Sequence, residues 1–95
     1  MNSSQIDIDG HPIFTVEVAL PGAPLVVAYT KNGFVMCGYL DIETANKLNV
    51  AAALVRGVKT VDDLLKAEVK AVSKVALEKG VQLGVSGKQA LAQFL

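Results

Sequence analysis

Asn32-Gly33 stands between two apolar runs, Leu25 to Thr30 and Phe34 to Leu40, and no other dipeptide restricts the folding of this chain so tightly. Both residues tolerate positive φ, the backbone state that a two-residue hairpin loop demands. The two runs are therefore expected to lie side by side as antiparallel strands. The first is a continuous apolar and β-branched strand. The second is apolar on both faces, so it should be central in a sheet or covered on each side.

The preceding segment carries the same signature. Gln5 to Asp9 alternates, Gly10-His11-Pro12 supplies a turn, and Ile13 to Leu20 alternates again. Phe14, Val16, Val18 and Leu20 fall on one face of that strand, Thr15 and Glu17 on the other. Pro21-Gly22-Ala23-Pro24 breaks it. From Asp41 onward the pattern turns mostly helical. Asp41 is placed to cap a short helix reaching Leu48. Val50 to Arg56 reads as a fifth strand, and Thr60 with Asp63 opens a helix running through Lys66. A longer helix is expected over 67–79, with Val69, Val72, Val75 and Ala76 on one face and Gly80 as its stop. Ser86-Gly87-Lys88-Gln89 has the pattern of a capping box, opening a last helix that buries Ala90, Leu91 and Phe94. The fold class is α+β: an N-terminal antiparallel sheet of four to five strands, with three to four helices packed on it. One domain is expected over 1–95, with a β region over 1–40 and a mostly helical region over 41–95.

Hydrophobic residues make up 52% of the 95 residues and charged residues 19%, more apolar surface than one small core hides, and self-association is the simplest outlet. With one cysteine, no disulfide can form within the chain. A free thiol and an N-terminus without a basic or apolar leader point to the cytoplasm. No apolar run approaches the roughly 20 residues of a membrane helix. Net charge is zero but unevenly spread. Residues 1–45 hold five acids and one base, net −4, whereas residues 46–95 hold eight bases and four acids, net +4. That asymmetry could steer subunit packing or attract a small anion. A nucleic-acid binder would show clustered arginines and stacking aromatics, and none is expected here.

Three segments carry a family resemblance: Gly33 to Asp41 (GFVMCGYLD), Arg56 to Leu65 (RGVKTVDDLL) and Gly80 to Leu91 (GVQLGVSGKQAL). In this order they resemble the YunC-like family, small bacterial and archaeal domains of unknown function. The resemblance spans essentially the whole chain, with Val85 where methionine is expected. It implies tetramerisation through the N-terminal β region and carries no assigned reaction.

Cys37 is the first candidate for chemistry, and Asp41 follows it closely. A thiol becomes a nucleophile when a cation, a histidine or a helix N-terminus favours the thiolate, and the apolar run around Cys37 offers none of these. His11, the only histidine, belongs to a turn and is expected far from Cys37. One cysteine and one histidine make no structural zinc site, so neither metal nor cofactor is expected. Gly84-Val85-Ser86-Gly87-Lys88 lacks the second glycine of a nucleophile elbow, and the glycine spacing before Lys88 does not match a phosphate-binding loop. Two features remain. Ser86, Gly87 and Lys88 start a helix, where amides and a lysine could hold an anion, or where the serine simply caps the helix. Arg56, ending an apolar strand, should pair with Asp41, Asp62 or Asp63, or else meet a ligand. The sequence thus supports a small homo-oligomeric cytoplasmic module, binding or structural, and not expected to be an enzyme. Its ligand would be a small anion at Arg56, Ser86, Gly87 and Lys88. The alternatives are a Cys37-dependent enzyme or redox protein, and an adaptor for a protein partner.

Overall fold

A computed structural model describes residues 2–39 and 41–95. Its centre is a six-stranded sheet in the order β1-β2-β3-β4-β5-β6. The strands are β1 (Asn2–Ile8), β2 (His11–Val18), β3 (Leu25–Thr30), β4 (Gly33–Met36), β5 (Ala52–Leu54) and β6 (Ala71–Val72). The helices are α1 (Ile42–Lys47), α2 (Val61–Lys66), α3 (Lys74–Glu78) and α4 (Gly87–Ala92). The architecture is α+β, with one strand more than the sequence suggested. All neighbours pair antiparallel except β4 and β5, which run parallel across the α1 connection.

The hairpin at Asn32-Gly33 forms for a reason other than the expected one. Its loop residues are Lys31 and Asn32, because Thr30 already pairs with Gly33. Neither loop residue has positive φ. Gly33 is instead the first residue of β4, where an added Cβ would stand 2.7 Å from the Phe94 ring. Its glycine is required by packing. The loop with two positive-φ residues is Asp9-Gly10, at 53° and 81°, which places the first turn ahead of the expected Gly10-His11-Pro12. The Phe34 to Leu40 strand ends at Met36, and Leu40 lies outside the described residues.

The caps form where the side chains predict them. Asp41 accepts from the Glu43 amide, Thr60 from Asp63, and Ser86 and Gln89 complete a reciprocal capping box. The single helix expected over 67–79 is not there. Lys70 N–H donates to the Leu54 carbonyl and Ser73 N–H to that of Ala52, so this stretch closes the sheet as β6. Helix α3 starts only after Ser73, whose buried hydroxyl accepts from the amides of Ala52 and Ala76 and donates to the Val50 carbonyl. An edge of the sheet satisfied those backbone groups, and the β-branched Val69 and Val72 suit a strand.

The sheet has two unlike faces. Ile13 and Thr15 of β2, Val26 and Ala28 of β3 and Val35 of β4 face the main core, with Leu64 of α2 and Leu91 and Phe94 at the chain's end. Phe14, Val16 and Val18, the more apolar half of β2, point the other way, and Leu25, Val27, Tyr29, Phe34 and Met36 join them. Thr15 is 2% exposed and Phe14 42%. The more hydrophobic side of the alternation is the uncovered one.

Candidate functional site

The parallel register of β4 on β5 builds the site. Phe34 pairs with Ala52, Val35 with Ala53 and Met36 with Leu54. Continued past the strand ends, that offset sets Gly38 beside Arg56. The Arg56 guanidinium accordingly lies over Gly38, its Nη1 3.7 Å from where a Cβ would stand. Both residues border a concavity of about 290 Å³, lined by Ala23, Pro24, Cys37, Gly38, Tyr39, Arg56, Gly57 and Val58.

Each wall has a local cause. The Pro21–Pro24 segment that interrupts the strands folds over as a rim, held by the Tyr39 hydroxyl donating to the Ala23 carbonyl at 2.8 Å. Gly57, at φ 72°, turns the chain sharply after Arg56. Cys37 is 4% exposed and belongs to the core cluster. Its sulfur accepts from the Val26 amide at 3.4 Å and approaches the Pro24 carbonyl at 3.9 Å. Its own amide donates to the Val26 carbonyl. Among the described residues no histidine or carboxylate lines the concavity with it, so the thiol has no general base there.

Arg56 is exposed, and among the described residues it forms no ion pair; Lys70 with Glu68 is the pair that forms. Its three expected partners are otherwise placed. Asp41 caps α1, accepting from the Glu43 amide and the Thr44 hydroxyl. Asp63 accepts from the Lys59 amide, and Asp62 borders a different hollow with Glu17 and Thr60.

Ser86, Gly87 and Lys88 do not line the Arg56 concavity. The Ser86 hydroxyl accepts from the Gln89 amide and the Gly87 amide donates to the Ala67 carbonyl, so two of the first three donors of α4 are occupied within the chain. Gly87 is glycine because a Cβ would collide with the Leu64 carbonyl. His11 lies at the opposite end of β2 from Val18, which pairs with Leu25 next to the rim. Seven residue steps along the strand separate them by about 23 Å. Tyr39, Pro24 and Val58 escaped the sequence reading. Tyr39 stood within a motif, and the Pro-Gly-Ala-Pro stretch read only as a strand breaker.

A mixed sheet with an uncovered apolar half, and a hollow bordered by Arg56 where β4 and β5 end, defines a small α+β domain. The chain belongs to the YunC-like family, whose model, described as a domain of unknown function (DUF1805), matches residues 36–94. It is similar to the uncharacterized protein YunC of Bacillus subtilis (strain 168), 32% identical over 99 residues that cover all of this chain and 98% of that protein. It is also similar to a crystal structure of a protein of unknown function from Thermoplasma acidophilum. The TM-score is 0.95 at 34% identity, covering 99% of this chain and 92% of that one. Among the described residues no helix is long and apolar enough to cross a membrane.

Proposed function

We propose that the chain is a homo-oligomeric cytoplasmic module, assembled through its N-terminal strands, that serves as a scaffold for binding. The observation that carries this reading is the uncovered face of β2, β3 and β4. Phe14 and Tyr29 are 42% and 41% exposed, lie directly opposite each other, and stack with ring centroids 5.6 Å apart. Around them stand half-buried Val16, Val18, Leu25, Val27, Phe34 and Met36, with exposed Leu20 following β2. An apolar field this continuous is the usual mark of an interface. A second copy presents the same surface, and a self-complementary patch closes by two-fold symmetry. The family resemblance implies tetramerisation through the N-terminal β region. The free, buried Cys37 suits a reducing compartment.

Light scattering at micromolar concentration tests the proposal. A mass that is a multiple of 10.0 kDa is expected. A single copy would end it. Chemistry at Cys37 is the weaker reading, because its thiol is enclosed and its hollow lacks a base.

A further inference from the structure

We propose that the concavity at the ends of β4 and β5 binds a small organic carboxylate, held at its charged end by Arg56 and along its apolar body by Pro24, Tyr39 and Val58. This goes beyond the assembly reading and does not depend on it, since every residue of the site comes from one chain.

Four observations converge on this ligand class. Arg56 has a full positive charge and, among the described residues, no carboxylate within ion-pair distance, although Asp62 and Asp63 lie within seven residues of it. A guanidinium presents paired N–H groups that match the two oxygens of a carboxylate. Gly38, Tyr39, Gly57 and Val58 line the same hollow, and their amides donate to no acceptor among the described residues. The Ala23 carbonyl at the rim is taken by the Tyr39 hydroxyl, and no carboxylate side chain of the described residues lines the hollow to meet Arg56. The walls are otherwise apolar, and the volume of about 290 Å³ is at the small end of ligand sites. Inorganic phosphate would leave those walls unused, whereas a short acyl or aromatic acid fills them. Gly38 fits this reading. Its φ is not positive, and a Cβ there would meet nothing closer than the guanidinium at 3.7 Å, so neither backbone nor packing requires glycine. What glycine preserves is room in front of Arg56.

The binding is directly measurable. Benzoate is titrated into the isotopically labelled full chain and followed by amide resonances, with benzamide and inorganic phosphate as comparisons. Benzoate is expected to saturate below about 10 mM, a modest affinity for a small ligand. It should shift Gly38, Tyr39, Gly57 and Val58 first. Benzamide and phosphate should each bind at least about tenfold more weakly, the scale of one charge-assisted contact or of the lost apolar packing. Arg56→Met keeps the stem and removes the charge. At this exposed position it should leave folding intact and lower benzoate affinity at least about tenfold. Shifts confined to other residues, no saturation, or benzoate affinity unchanged in Arg56→Met would each overturn the site. Phosphate binding as tightly as benzoate would overturn the ligand class.

Discussion

The two faces of the sheet are built from similar residues and have opposite fates. The covered face carries Ile13, Thr15, Val26, Ala28 and Val35, closed over by Leu64, Leu91 and Phe94. The uncovered face carries larger side chains, Phe14, Tyr29, Phe34 and Met36, with no helix over its β2 half. Hydrophobicity alone does not choose which face becomes the core. The choice follows room: small residues such as Ala28 and Gly33 let α4 and Phe94 sit close, whereas the bulk of Phe14 and Tyr29 would hold a helix away. Larger aromatics are better suited to a face that meets another sheet.

That contrast can be broken from either side. Phe94→Ala empties the covered face and should cost about 3–5 kcal/mol in chemical denaturation. Gly87→Ala, driving a methyl into the Leu64 carbonyl, should cost about 1–3 kcal/mol because α2 and α4 must part. Asp41→Ala removes only the α1 cap and should cost about 1 kcal/mol. Phe14→Asp, on the uncovered face, should cost the folded chain itself about 1 kcal/mol, the scale of a lost cross-strand aromatic pair. Its effect should appear instead as dissociation, with Tm no longer depending on protein concentration. If Phe14→Asp unfolds the chain as Phe94→Ala does, the two faces are not different in kind.

What the sequence revealed was chiefly local. The caps at Asp41, Thr60 and Ser86 were legible because a side chain and an amide within three residues decide them. The stretch over 67–79 was misread because its valines satisfy a helical period while its backbone groups find partners in Leu54 and Ala52, far away in sequence. The Asn32-Gly33 hairpin was found on a rule that its own geometry does not use, since Phe94, sixty-one residues on, is what requires the glycine. The site divides in the same way. Cys37 and Arg56 each stood out alone, but only the parallel pairing of β4 and β5 brings them to one hollow. Parallel registers leave no local trace in sequence. The anion site is expected partly at Ser86, Gly87 and Lys88, where Ser86 and Gln89 bond each other's amides and which do not line the Arg56 hollow.

We propose that the uncovered face is interior in solution. The most direct test is an isotope-filtered NOE experiment on a sample mixed from labelled and unlabelled chains. Interchain contacts are expected from the aromatic protons of Phe14 and Tyr29 to methyl groups of Val16, Val27 or Met36 on another copy. Interchain contacts only at helix residues such as Leu77 or Leu83, or none at all, would contradict it.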